Sequence, residues 1–378
     1  MRSLFAWGAV VLGAFLGARP AAAITLTRGP YLQLLGTHSV TVVWKTDVPG
    51  DCGLTLRLPD GGTRAVAGPR SSTCAVPVGD LSPGTRYGYV PRADETALTA
   101  ESTFHTDDPA APFTFLVLGD SGCGCDGQRA VRDRMLATPA DFILHTGDMI
   151  YPSGQSEAMD ANFFRPYDPL LRRVVMWPSR GNHDVKTAGG EPWRDVFRTP
   201  ANNAAGSEDY YSFDYGTAHV AVLDSNAATN PGSPQYVFLD GDLGSSNARW
   251  KFVVFHHSIY SSGTKHGSNI KIRRNLLPLL DRYHVDVVFM GHDHDYERTK
   301  PMRADKIVAP GEGTVYITTG GGGADVRPVE HSDFTAHVEA ALHFVRVRVD
   351  GGTLRADMVT PDGAVHDSVT LTKSAAPG

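Results

Sequence analysis

The segment Phe113-Thr114-Phe115-Leu116-Val117-Leu118-Gly119-Asp120 (FTFLVLGD) joins an apolar run to a glycine and a carboxylate. Such a run is typical of a parallel strand that is buried on both faces. Further apolar runs lie at 142–144, 174–177, 220–223, 252–255 and 285–290. Amphipathic patterns at 128–136 and 270–283 predict helices between them, and alternating valines at 345–349 before Asp350-Gly351-Gly352 predict a terminal hairpin. Residues 112–373 are therefore predicted to form an α/β domain with layered sheets.

The preceding residues, 24–107, have a different texture. Val40, Val42 and Trp44 alternate with polar neighbours, which is the pattern of a half-buried strand. Turn sequences rich in Pro, Gly and Asp recur at short intervals, and no helical period is present. These features predict a small all-β sandwich, joined to the α/β domain through a linker at 107–112. The run 81–90 (LSPGTRYGYV), together with Trp44, resembles a fibronectin type III domain.

Residues 1–23 have the layout of a secretory signal peptide: Arg2, an apolar middle and a closing Ala-Ala-Ala. The apolar run is shorter than the roughly 20 residues that span a bilayer, although a retained signal anchor stays open as an alternative. We therefore expect a secreted or periplasmic protein with no membrane span after cleavage. The chain has 378 residues and a formal net charge of −6, which argues against a nucleic-acid wrapper because such proteins carry a basic face.

Four cysteines in an exported chain permit three disulfide pairings, and the sequence does not choose among them. We favour a bridge between Cys52 and Cys74, which share one strand-rich segment. Cys123 and Cys125 flank a single glycine, and a structural disulfide or free thiols are favoured there over a metal or redox pair.

Polar residues follow five of the apolar strands, where ligand sites form in α/β proteins. The five motifs are Gly119-Asp120-Ser121-Gly122, Gly147-Asp148-Met149-Ile150-Tyr151, Gly181-Asn182-His183-Asp184, His256-His257 and Gly291-His292-Asp293-His294. Each motif is weak alone, but all five in order are hard to obtain by chance. Their mixture of hard oxygen donors and imidazoles favours Fe, Mn or Zn.

This constellation resembles the metallophosphoesterases, and within them the purple acid phosphatases, over the whole mature chain. Many metallophosphoesterases open with Asp-x-His, whereas this chain has Asp120-Ser121-Gly122 and carries Tyr151 three residues after Asp148. In purple acid phosphatases a tyrosinate at that place favours a ferric ion. The resemblance implies an αββα metallophosphoesterase sandwich for residues 112–373.

The resemblance also implies a binuclear centre and assigns its ligands. One metal, Fe(III), takes Asp120, Asp148, Tyr151 and His294. The second, Fe(II), Zn(II) or Mn(II), takes Asp148, Asn182, His256 and His292. His183 is expected to point at the phosphate, and His266 matches the second of two outer histidines. Lys265 stands where the family has the first, so the chain departs from the family pattern at the expected leaving-group acid.

We therefore expect an exported hydrolase that cleaves small phosphate monoesters by attack of a metal-bound hydroxide, with acid phosphatase activity. A phosphodiesterase or nucleotide hydrolase on the same site stays open, as does a cell-surface binding protein with a relict catalytic domain. The second metal, the substrate and the oligomeric state are left undecided. Gly320-Gly321-Gly322-Gly323 is interpreted as a flexible turn near the site mouth, and Asp295-Tyr296-Glu297-Arg298 as a brace for the preceding loop.

Overall fold

The computed structural model describes residues 23–374, so residues 1–22 of the predicted signal segment lie outside it. The strands are β1 (Leu26–Gln33), β2 (Val40–Arg57), β3 (Thr63–Val78), β4 (Arg86–Ala93), β5 (Thr96–Ala97), β6 (Ser102–His105), β7 (Phe113–Leu118), β8 (Phe142–His145), β9 (Val175–Pro178), β10 (Tyr211–Tyr215), β11 (Ala218–Val222), β12 (Trp250–His257), β13 (Val287–Gly291), β14 (Tyr296–Thr299), β15 (Met302–Arg303), β16 (Lys306–Ile307), β17 (Val315–Thr319), β18 (Thr335–Glu339), β19 (Phe344–Asp350), β20 (Thr353–Val359) and β21 (Val365–Thr372).

The helices are α1 (Asp126–Leu136), α2 (Ser156–Met159), α3 (Arg165–Leu171), α4 (Glu191–Val196), α5 (Pro234–Ser245) and α6 (Ile270–Arg282). A π-helical turn at Asp160–Phe164 joins α2 to α3, and a 3₁₀ turn at Ala188–Gly190 precedes α4. No helix within residues 23–374 is long and apolar enough to cross a membrane.

The N-terminal region is an antiparallel sheet of six strands, β1 to β6. The long strand β2 pairs with β1, β3 and β4, and irregular register between Lys45 and Gly50 bends it, as bulges do. Trp44 and Tyr89 are fully buried in its core. Cys52 and Cys74 are disulfide-bonded, which confirms the favoured pairing, and Cys123 is bonded to Cys125.

The residues after β6 form two large sheets with helices on their outer faces and a small two-stranded sheet, β15-β16. One large sheet has the order β21-β20-β19-β7-β8-β9, and the other has the order β10-β11-β12-β13-β17-β14-β18. Phe115 of the first sheet packs edge-on against Phe252 and Phe289 of the second, at ring-centroid distances of 5.3 and 6.0 Å. Helices α1 and α3 cover the first sheet, and α5 and α6 cover the second. The layered α/β prediction is confirmed.

Strand β7 has the predicted bounds, and the terminal hairpin forms as expected, with Asp350 paired to Thr353. Parallel pairing runs through β7, β8 and β9 in one sheet and through β11, β12, β13 and β17 in the other. Parallel strands present their carboxyl ends at one edge of a sheet. The two sheets therefore bring five loops to a common edge.

Candidate metal centre

The predicted ligands meet at this edge and come from both sheets. Asp120, Asp148 and Asn182 follow β7, β8 and β9. His256 is the second-last residue of β12, and His292 directly follows β13. Tyr151 and His294 complete the group from the loops after β8 and β13.

Three of these residues have a left-handed backbone. The φ angles are 58° at Asp120, 55° at Asp148 and 73° at His292. Non-glycine residues rarely adopt this conformation, and it clusters at functional sites where the surroundings enforce it. Gly181 shows how tightly the loops fit, because a Cβ there would lie 2.1 Å from Oδ1 of Asp148.

Asp120, Tyr151 and His294 form one side of the cluster. The Tyr151 hydroxyl lies 3.1 Å from Oδ1 of Asp120 and 3.1 Å from Nε2 of His294. Nε2 of His294 is 3.5 Å from the same carboxylate oxygen. Three different donor types, a carboxylate, a phenol and an imidazole, therefore converge on one small volume.

Asp148, Asn182, His256 and His292 form the other side. Nε2 of His256 lies 3.0 Å from Oδ1 of Asn182 and 3.5 Å from Oδ2 of Asp148. Nδ1 of His292 is 3.1 Å from Nε2 of His256. The donor atoms of Asp148, His256 and His292 all lie within 4.8 Å of one another, which is the spacing of a cation site.

Backbone carbonyls fix the orientation of two imidazoles. Nδ1 of His256 donates to the carbonyl of Thr146 at 3.0 Å, and Nδ1 of His294 donates to the carbonyl of Asp325 at 2.9 Å. Each ring then directs the lone pair of Nε2 into the cluster. Metal-ligating histidines are held in the same way, by a hydrogen bond from the other ring nitrogen.

The electrostatics of the cluster call for added positive charge. Burial raises the pKa of Asp120 well above its ordinary value, so its charged form needs a cation beside it. Burial lowers the pKa of His256, but the charge of Asp148 outweighs burial and raises that pKa to about 9. Burial followed by the charge of His256 lowers the pKa of His292.

The residues present fit a pair of bound cations. Buried carboxylates, a phenol and an amide oxygen supply hard donors, and ring nitrogens of His256 and His292 lie 3.1 Å apart beside them. The donor set contains no thiolate and suits iron, manganese or zinc.

His183 and His266 lie outside this inner group. Nδ1 of His183 donates to the carbonyl of Pro152 at 2.5 Å, and its Nε2 is 3.9 Å from Oδ2 of Asp148. The ring of His266 packs 4.0 Å from the ring of His292, and Lys265 beside it is exposed. His257 bonds to Ser225 through Nδ1 at 2.8 Å, and its ring centroid lies 4.6 Å from that of His292.

Asp184 and Asp293 belong to the sequence motifs, and the structure shows that both support the site without being predicted ligands. Asp184 accepts backbone hydrogen bonds from Met149, Ile150 and Gly181, and so it ties the Asp148 loop to the Asn182 loop. Asp293 accepts from the hydroxyl of Ser261 at 2.6 Å. Their place within two residues of a predicted ligand was the available signal, since acids beside ligands commonly orient them.

The glycine run 320–323 differs from its interpretation as a flexible turn. All four glycines are buried. A Cβ at Gly320 would lie 1.9 Å from the carbonyl of Asp293, and one at Gly322 would lie 2.3 Å from the carbonyl of Gly119. The run is glycine because two ligand loops press against its backbone.

The segment after His294 behaves as the predicted brace. Glu297 accepts hydrogen bonds from the backbone and hydroxyl of Ser262, and Arg298 forms an ion pair with Asp367 at 2.6 Å. These contacts fix the loop that carries His292 and His294 to its neighbours.

A family model described as calcineurin-like phosphoesterase matches residues 113–296. Probable purple acid phosphatase 20 of Arabidopsis thaliana is 29% identical over 264 residues, which cover 66% of this chain and 60% of the relative. Purple acid phosphatase 21 of the same plant is 32% identical, covering 66% of this chain and 57% of the relative. A nucleotide pyrophosphatase/phosphodiesterase of Hordeum vulgare is 31% identical, covering 61% of this chain and 72% of the relative. The chain thus spans less than two thirds of the length of the two Arabidopsis relatives.

Solved structures agree on the fold. Purple acid phosphatase PPD1 from yellow lupin (Lupinus luteus) seeds superposes with a TM-score of 0.83 at 20% identity, covering 91% of this chain and 74% of the lupin chain. PhoD superposes with a TM-score of 0.67 at 14% identity, covering 91% of this chain and 89% of the PhoD chain.

Proposed function

Because the chain belongs to the calcineurin-like phosphoesterase family and is a homologue of purple acid phosphatases, we propose that it is an exported phosphatase. Its proposed reaction is the hydrolysis of phosphate monoesters at a binuclear metal centre. The observation that carries the proposal is the convergence of carboxylate, phenol, amide and imidazole donors at one edge of two sheets.

The chain offers a ligand set for each cation. Asp120, Tyr151 and His294 would hold a ferric ion, and Asn182, His256 and His292 would hold Fe(II), Zn(II) or Mn(II), with Asp148 shared between them. When bound, such a pair supplies charge neutralisation for the phosphoryl group and an activated water as nucleophile.

The remaining residues handle the substrate. His183 lies beside Asp148 at the open side of the cluster, where its imidazole would hold a phosphoryl oxygen or donate a proton to it. Burial lowers the pKa of His183, against the effect of Asp148. His266, whose ring centroid lies 4.0 Å from that of His292, would donate a proton to the leaving oxygen. Exposed Lys265 would add positive charge there.

A second candidate is cleavage of phosphodiesters or nucleotides on the same site. It is favoured by the similarity to the Hordeum vulgare protein, whose name describes such an activity. Turnover of an aryl monoester against a bis-aryl diester decides between the two. We expect the monoester to be preferred, and a preference for the diester would replace the first proposal.

Metal analysis with a visible spectrum tests the centre itself. The purified protein should contain iron and show a tyrosinate-to-iron charge-transfer band. Tyr151→Phe should lose the band and retain less iron, because the phenolate donor is removed. Tyr283→Phe is the matched control, since Tyr283 hydrogen-bonds Asp240 near the outer helices and should leave the spectrum unchanged. A Tyr151→Phe variant that keeps the band and its iron would contradict the ligand assignment.

A further inference from the structure

We propose that Arg327 is a specificity-determining residue that binds a second phosphoryl group of the substrate, beyond the one that is hydrolysed. The substrate class is then that of compounds with adjacent phosphoryl groups, such as nucleoside polyphosphates. This inference rests on the proposed function, because it takes the reacting phosphoryl group to lie at the metal cluster.

Arg327 lies directly against the loop that carries two predicted ligands. Its backbone N–H donates to the carbonyl of His294 at 3.0 Å, and its Nη1 donates to the carbonyl of His292 at 3.3 Å. The guanidinium therefore contacts the backbone of that loop, one layer outside the point where the ligand side chains converge. A group bound there lies next to the cluster without being part of it.

The loop of Arg327 is joined to the loop of Lys265 and His266. Gly263 forms an antiparallel bridge with Val329, and Thr264 donates to the carbonyl of Pro328 through its backbone and its hydroxyl. These bonds hold both loops together at one side of the mouth. Arg327 and Lys265 thus belong to one rigid rim.

The cations of this rim form no ion pair with a carboxylate among residues 23–374. Neither Arg327 nor Lys265 has a carboxylate within ion-pair distance in that range, and the one side-chain hydrogen bond of Arg327 goes to the His292 carbonyl.

Cations that lack an ion-pair partner and lie in fixed loops favour an anionic ligand, and the shape of the guanidinium limits the class of anion. Arginine offers a planar fork of donors that matches two phosphoryl oxygens, and four of its five N–H groups face no acceptor among the described residues. A substrate with an uncharged leaving group would leave this fork unused. One with a second phosphoryl group would fill it.

The test compares two substrates on the metal-loaded protein. Arg327→Gln should lower kcat/KM for ATP by about 10-fold or more, as expected for a lost charged hydrogen bond, and that for 4-nitrophenyl phosphate by less than about 3-fold. Arg327→Lys should give an intermediate loss on ATP, because it keeps the charge and loses the fork. Arg303→Gln is the control, since Arg303 is exposed and lies near Asp286 at the opposite end of β13.

A binding measurement separates this inference from the proposed function. Calorimetric titration with tripolyphosphate and with orthophosphate should show that Arg327→Gln weakens only the tripolyphosphate complex. If the wild-type protein hydrolyses neither substrate, the proposed function fails while this binding difference still tests Arg327. Equal losses on both substrates, or equal binding of tripolyphosphate by the wild type and Arg327→Gln, would overturn the assignment.

Discussion

Two clusters of histidine and aspartate lie at opposite ends of the same sheet, and they have different roles. One is the predicted metal centre at the carboxyl ends of β12 and β13. The other surrounds His219 in β11, whose ring nitrogens lie 2.8 Å from Asp214 and 2.7 Å from Asp242. Both combine imidazole with carboxylates, so residue type alone does not tell them apart.

The difference lies in where the lone pairs and protons are directed. In the His219 cluster both ring nitrogens donate to carboxylates, so the imidazolium is fully satisfied by the protein. In the predicted metal centre, His256 and His294 each direct Nδ1 to a backbone carbonyl and Nε2 toward the other predicted ligand atoms. A closed set of donor–acceptor pairs marks a structural ion pair, and converging acceptors mark a cation site.

Cavity size does not distinguish them either. A wide groove of about 790 Å³ lies beside His219 and includes Asp214, Asp242 and Asn202 in its lining. The chemistry of the ligands, and not the volume of open space, identifies the centre.

Asp148→Asn is expected to have the largest effect on metal content and turnover, and it tests the difference between the two clusters. Asp148 is the carboxylate proposed to serve both cations, so its loss should remove metal and lower turnover by at least about 10⁴-fold, equivalent to about 5 kcal/mol of transition-state stabilisation. Metal content and steady-state turnover are the measurements. Asp242→Asn is the matched control and should keep both. An Asp148→Asn protein with full metal occupancy would contradict the proposal that Asp148 is a ligand of both cations.

His183→Ala tests the border of the metal centre. We expect turnover to fall by about 10²–10⁴-fold with metal content retained, because His183 lies beside the ligands and acts on the substrate. The His105→Ala variant is the control, since His105 is exposed and lies in β6 of the N-terminal sheet. Loss of metal in His183→Ala would move His183 into the ligand set, and unchanged turnover would remove it from the mechanism.

His219→Gln should affect stability and leave the metal unchanged. Burial lowers the pKa of His219, but hydrogen bonds to Asp214 and Asp242 outweigh burial and raise it to about 9. The ordinary value in an unfolded chain is about 6.5, so the folded state holds the proton more tightly. This stabilisation is fully present below pH 6.5 and is lost as the pH rises through 9.

Urea unfolding at pH 6 and pH 10 measures that effect. At pH 6 the variant should lose about 2–3 kcal/mol of unfolding free energy, and at pH 10 the loss should be much smaller. His331→Gln, at an exposed position, is the control. A loss that does not depend on pH would mean that packing, and not the charge, stabilises this cluster.

The strands and the ligand motifs could be predicted because both are local. A buried parallel strand leaves an apolar run, and the polar residues that follow it mark its carboxyl end, as with β7 and Asp120. The His219 cluster could not be predicted in this way, because Asp242 is 23 residues distant and is brought near by the packing of α5. The glycines at 320–323 were misread because their cause is the close approach of loops from elsewhere in the chain.

The aromatic layer between the sheets has a consequence for the metals. Asp120, Asp148 and Asn182 belong to one sheet, His256 and His292 belong to the other, and Phe115 stands between the sheets against Phe252 and Phe289. The thickness of this layer therefore helps to set the distance between the predicted ligands of one sheet and those of the other.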